Sequence, residues 1–172
     1  MERLKRNPGA WLLMIGGIAI GLSTFLRWFE FTNVSTGSTT ELRAFQSVTG
    51  QTLLLIGTLI LICGFGVAAS SAGGRFLWGG LGLLLGGVVL AGAIWGLVDP
   101  ESFAANAATT QAISKLSLPG AIESASDTAT KAFADGTLTV SVQIGLWFGL
   151  LSGLVATLGG LLSFRKKRPA EG

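Results

Sequence analysis

The sequence predicts an all-α membrane protein: a four-transmembrane-helix bundle with a short β-like first outer loop and a helical second outer loop. Three observations carry that prediction. Only 12% of the 172 residues are charged and mean hydropathy is +0.64, whereas charged residues make up about a quarter of a soluble domain. The apolar residues fall in four blocks, each long enough for a hydrocarbon core of about 30 Å at a rise of 1.5 Å per residue. Lysines and arginines gather beside the ends of those blocks, where they set topology.

The chain reads as one membrane domain, residues 1–172. The first span covers about 9–26, GAWLLMIGGIAIGLSTFL. Its leader MERLKRNP resembles the positive region of a secretory signal. The apolar run is longer than such signals use, however, and Leu26-Arg27-Trp28 offers no small-x-small cleavage site. A retained span is therefore expected. The second and third spans cover about 52–69 and 76–98. Only Ser70 to Arg75 separates them, a connection short enough to force an antiparallel hairpin. The fourth covers about 140–164 and runs into Arg165, Lys166, Lys167 and Arg168.

Charge bias sets the expected orientation. With the N-terminus inside, the cytoplasmic ends (1–8 and 165–172) and Arg75 hold eight basic residues, and the outer loops (27–51 and 99–139) hold four. Both termini are expected in the cytoplasm and the chain in the plasma membrane. The basic clusters also suit anionic lipid headgroups, so the pI of about 9.5 points to the bilayer rather than to nucleic acid. Tryptophans give a second ruler. Trp11 and Trp28 flank the first span, and Trp78 and Trp95 the third. Each pair is 17 positions apart, or about 26 Å of helix, as expected of indoles anchored in the two headgroup belts. Trp147 marks the outer edge of the fourth span, so Val140 to Ile144 are expected to project beyond the lipid.

Small residues four apart let helices approach closely in lipid. Gly17 and Gly21 supply such a pair in the first span, Gly64 and Ala68 in the second, and Gly82 with Gly86 and Gly92 with Gly96 in the third. The fourth has the longest series, Gly145, Gly149 and Gly153, continued by Ala156 and Gly160. This groove is the one to consider for self-association or for docking a larger partner. Gly79-Gly80-Leu81-Gly82 lacks the preceding strand and the Lys-Ser/Thr pair of a phosphate loop.

In the first outer loop, aromatic and β-branched residues stand on both sides of Ser35-Thr36-Gly37-Ser38, which predicts a short hairpin. Asn33-Val34-Ser35 is formally a glycosylation acceptor, a match expected by chance in so short a motif. The second outer loop opens with Asp99-Pro100-Glu101, an N-cap followed by proline at the first helical position. Phe103, Ala107, Ile113 and Leu116 recur at helical spacing up to Pro119-Gly120. Ile122, Ala125, Ala129 and Phe133 then do so up to Asp135-Gly136. Two amphipathic helices are expected there.

Chemistry is sparse. The chain has no histidine, the commonest general base and metal ligand, and its one cysteine, Cys63, lies inside a span as a small core residue. No cysteine–histidine cluster or serine–histidine–acid set suggests a metal, a cofactor or catalytic residues. The spans hold no charged residue; Gln143, Thr58, Ser152 and Thr157 are the polar side chains nearest their centres, with the hydroxyls expected to bond their own helices or a neighbour. At the outer boundary Arg27 is placed to pair with Glu30 or with Asp99.

The order of spans, Leu26-Arg27-Trp28-Phe29 after the first, and the basic tail resemble the small uncharacterised four-span membrane proteins of actinobacteria and related bacteria. The layout, with Trp28 after span one, is also similar to claudin-like tetraspan proteins. Their Gly-Leu-Trp and paired-cysteine pattern is missing here, so neither barrier nor pore function is implied. Two functions stay open: a non-catalytic accessory or structural subunit that contacts another membrane or envelope component or a second copy, and a small transporter or channel for a neutral or apolar solute.

Overall fold

The computed structural model describes residues 7–109, 112, 116 and 124–164. Four apolar helices form its body: α1 (Pro8–Ser23), α2 (Val48–Ala69), α3 (Ala72–Val98) and α6 (Ile144–Ser163). Between α1 and α2 lie strands β1 (Arg27–Asn33) and β2 (Thr39–Arg43). Between α3 and α6 lie the short helices α4 (Pro100–Ala107) and α5 (Ala125–Ala134), then β3 (Leu138–Val142). Stretches Val48–Ala69, Gly73–Val98 and Ile144–Ser163 are long and apolar enough to cross a membrane. They mark the chain as a membrane protein. α1 is equally apolar but shorter, with 16 residues.

Each long helix packs mainly along two of the others: α1 lies against α2 and α6, and α3 against α2 and α6. Glycine sets how near they come. A Cβ built on Gly17 would stand 2.6 Å from the carbonyl oxygen of Gly57, and one on Gly57 2.9 Å from that of Gly17. The α1–α6 seam uses Gly16 and Gly159, facing the backbones of Ala156 and Leu13. The α3–α6 seam uses Gly86 against Thr157 and Gly160 against Leu83. Such approaches bring backbone dipoles and apolar side chains into contact without water to drive association. The core between these helices is accordingly small-celled, built of Ala10, Leu13, Ile20, Ile60, Val67, Val89 and Ala156.

At one end the loops form a two-layer cap. Antiparallel strands in the order β2-β1-β3 lie over α4 and α5. Phe29, Phe31, Leu42 and Leu138 turn inward to meet Phe103, Ala104, Ala129 and Ala132. Gly37, at φ 69°, makes the β1–β2 turn, and Gly136, at φ 67°, precedes β3; both conformations favour glycine. Asp99 caps α4 by accepting from the Ser102 amide at 3.1 Å, with Pro100 following as expected. Ser124 caps α5 through the Asp127 amide at 3.3 Å.

Several expectations need correction. The last span does not begin at Val140. Residues 138–142 are β3, paired with β1 from Phe29↔Val142 to Asn33↔Leu138, and the helix starts at Ile144. Hydropathy could not separate them, because Leu138, Val140 and Val142 are apolar for the cap core rather than for lipid. For the same reason the chain is not all-α: the expected hairpin is the larger part of a three-stranded sheet. The second and third helices begin about a turn earlier than expected, at Val48 and Ala72. Of the second outer loop, Ile113, Lys115, Pro119, Gly120, Ile122 and Glu123 lie outside the described residues, as do the basic terminal clusters.

Candidate functional site

The junction between cap and helices is organised by Trp28. After Ser23 the chain continues through Leu26 as a tight turn of i→i−3 bonds, which aims β1 back across the helix ends. A register shift between Arg27 and Phe29 then lets two consecutive aromatics, Trp28 and Phe29, both turn inward. Trp28 is only 4% exposed, and its Nε1–H donates to the Ser23 carbonyl at 2.7 Å. Its ring lies against Gly145 and Gly149 of α6 and 6.3 Å from that of Phe103. Trp28 is therefore not the lipid-facing anchor expected of it. Trp11, Trp78, Trp95 and Trp147 do keep exposed faces, although Trp78 also covers Gly66.

The glycines singled out by spacing divide into three groups. Gly17, Gly86, Gly145 and Gly153 lie against neighbouring backbone, whereas Gly82 meets only the side chain of Leu13. A Cβ built on Gly21 or Gly149 would stand at ordinary contact distance, 3.6 Å from Leu54 Cδ1 or Trp28 Cζ2 respectively. The α6 series is occupied by Trp28 and α3 of the same chain. Gly9, Gly16, Gly57 and Gly159 are equally close-packed but carry no Gly/Ala spacing signal, since only the partner helix reveals what each of them faces. Thr58, Ser152 and Thr157 donate to Leu54, Phe148 and Gly153 of their own helices.

Three surfaces remain as candidates. The first is the outward face of the sheet, built by Arg27, Glu30, Thr32, Glu41, Arg43, Thr139 and Ser141. Glu30 and Glu41 stand directly opposite each other, a like-charge arrangement that costs stability unless relieved. Here the relief is divided: Arg27 forms an ion pair with Glu41, and Gln143 Nε2 donates to Glu30 at 3.2 Å. Arg27 thus pairs with neither Glu30 nor Asp99, and Gln143 belongs to the sheet rim rather than to a span.

The second is a cleft of about 490 Å³ between α4 and α5, with Asp99, Glu101 and Asp127 on its walls. No group of three or more acidic or cysteine side chains among the described residues has the geometry to hold a metal ion. The third is an apolar cleft of about 380 Å³ between α2 and α3 beneath the cap, bounded by Leu53, Ile56, Val89, Ala93, Trp28 and Phe103.

Asn33 is a buried cap residue rather than an exposed acceptor. Its Nδ2 donates to the Leu116 carbonyl at 2.9 Å, while Oδ1 accepts from the amides of Ser35 at 3.0 Å and Thr36 at 3.3 Å. The chain matches no family model and no curated protein.

Proposed function

We propose that this protein is a non-catalytic, four-span accessory or structural subunit of the plasma membrane, with both termini cytoplasmic, that contacts another membrane or envelope component through its outer cap. α1 supplies the fourth crossing. Counted from Pro8 through the turn to Leu26, it reaches about 28 Å, close to the hydrocarbon thickness. Its outward stripe of Trp11, Ile15, Ile18, Leu22 and Phe25 is apolar and exposed, as a lipid-facing surface requires. With α1 crossing, the cap and the termini fall on opposite sides. The basic residues at the ends and Arg75 assign the termini to the cytoplasm.

The observation that carries the reading is the rigid attachment of the cap. Backbone bonds from Gln143 N to Trp28 O and from Phe45 N to Thr24 O, both 2.8 Å, join the sheet to the ends of three membrane helices. The Trp28–Ser23 bond adds a third tie. The polar sheet face is thereby held at a fixed height and angle to the bilayer, the preorganisation that lowers the cost of binding a partner. Reporter fusions at residues 1, 71 and 172 should report the cytoplasm, and one at Gly37 the outside. Native mass spectrometry from lipid discs should find a stoichiometric companion or a defined homo-oligomer. A clean monomer in both detergent and discs would overturn the subunit assignment.

The apolar cleft favours a second reading, a small transporter or channel for a neutral or apolar solute. Flux across liposomes no greater than that of protein-free vesicles, over a panel of solutes, would reject it.

A further inference from the structure

We propose that the cleft between α2 and α3 takes the hydrocarbon chain of a bilayer lipid. The inference rests on the reading that these two helices cross a membrane, and on nothing about a protein partner.

Four features argue for that occupant. The cleft of about 380 Å³ lies within the usual range for small-molecule pockets. Its walls make little demand for polar partners: Ser23 Oγ donates to Ile20 O at 2.7 Å, Thr52 Oγ1 to Val48 O at 2.9 Å, and the Trp28 indole to Ser23 O, which leaves that of Thr49 as the one unpaired hydroxyl of the lining. A ligand that needed several hydrogen bonds would lose them on entering, whereas hydrocarbon loses nothing. The rim is formed by Val48, Val88 and Trp95, whose other sides are exposed on apolar helices of membrane length. The mouth therefore opens on the same face that acyl chains cover, and a chain can enter sideways without crossing water.

The fourth feature is the gap itself. Along α3, Gly82, Gly86 and Gly96 each meet a neighbouring group, but a Cβ on Gly92 would find nothing within 4 Å. Gly92 lines the cleft. The cap closes the cleft from above with Phe103, 5.3 Å edge-on from Trp95 and 6.3 Å from Trp28. An aromatic ceiling over an aliphatic slot suits a flexible alkyl chain, which can follow an irregular wall at low cost.

The open space at Gly92 also supplies the test. Gly92→Leu should fill the slot without disturbing the fold, and Gly87→Leu, equally free of neighbours but outside the cleft, is the matched control. The full chain is reconstituted in phosphatidylcholine vesicles containing a small fraction of phosphatidylcholine with a diazirine near the end of one acyl chain. It is then irradiated, and adducts are mapped by mass spectrometry. Leu84 and Ile62, which face outward, give the bulk-lipid reference. In the native chain and in Gly87→Leu, adducts should appear on Val89 and Ala93, although both are buried from bulk lipid. In Gly92→Leu they should fall by at least about tenfold relative to the reference, since excluding even two methylenes from an apolar site costs about that factor.

Equal cleft labelling in the two variants would overturn the proposal, as would labelling of Leu84 and Ile62 with none in the cleft of the native chain. An unlabelled cleft in preparations that run as a dimer would assign the face to a second copy, also against the proposal. Labelling of no span residue at all would instead overturn the membrane-crossing reading, and the proposal with it.

Discussion

The indole nitrogen of Trp28 donates to the main-chain carbonyl of Ser23 at 2.7 Å, joining the first strand of the cap to the last turn of the first helix. The same ring covers Gly145 and Gly149, so that one side chain holds the start of the sheet, the end of α1 and the beginning of α6 together.

Trp28→Phe keeps an aromatic ring but loses the hydrogen bond, and should lower unfolding free energy by about 1 kcal/mol. Trp28→Ala also opens a cavity and should cost about 3–5 kcal/mol. Denaturation in mixed detergent micelles should give the order native, Phe, Ala. A Phe variant as unstable as the Ala variant would show that the hydrogen bond, not the packing of the ring, dominates.

Asn33 offers a test of the cap alone. Asn33→Ala strands the buried Leu116 carbonyl and frees the turn amides of Ser35 and Thr36. A loss of about 1–3 kcal/mol is expected for an unsatisfied buried group. Arg27→Ala removes an ion pair between partly exposed side chains and should cost at most about 1 kcal/mol. Thermal unfolding of the two variants side by side checks the contrast.

Alanine substitutions along the helices should change sign with position. At Gly16 the new methyl would sit 2.9 Å from Ala156 Cα, against backbone that can move only by separating α1 from α6. Overpacking of this kind costs about 1–3 kcal/mol. At Gly87 the methyl meets nothing within 4 Å, and the gain in helix propensity should raise stability by up to about 1 kcal/mol. A destabilising Gly87→Ala would show that this side of α3 contacts another molecule.

Cys63 is 1% exposed and is the only cysteine in the chain. A membrane-permeant maleimide should leave it unmodified in the folded protein and label it stoichiometrically after denaturation. Rapid labelling under native conditions would mean that α2 separates from its neighbours on the reaction timescale. The same assay reports the fold of every variant above.

Much of the architecture is legible from local chemistry. Hydropathic blocks locate the long helices, Ser35 to Ser38 locates the β1–β2 turn, and Asp99-Pro100 starts α4 at the expected residue. What was missed is non-local. Val140 and Val142 have the same hydropathy whether they face lipid or the cap core, and only pairing with Phe31 and Phe29 makes them strand. Trp28 has the composition of an interfacial anchor, and only the position of Phe103 and α6 makes it a core residue.

The sequence by itself determined that this chain partitions into a membrane, because transfer of long apolar blocks and exclusion of charge depend on residue type and little on neighbours. It also fixed where the chain turns, since proline, glycine and capping side chains act within a few residues. Only the tertiary structure decided which glycines carry close contacts, how Glu30 and Glu41 are reconciled across two strands, and that a space remains beside Gly92. Those outcomes depend on what lies opposite each residue, and the opposite residue comes from a segment that can be more than 100 positions away, as Gln143 does for Glu30.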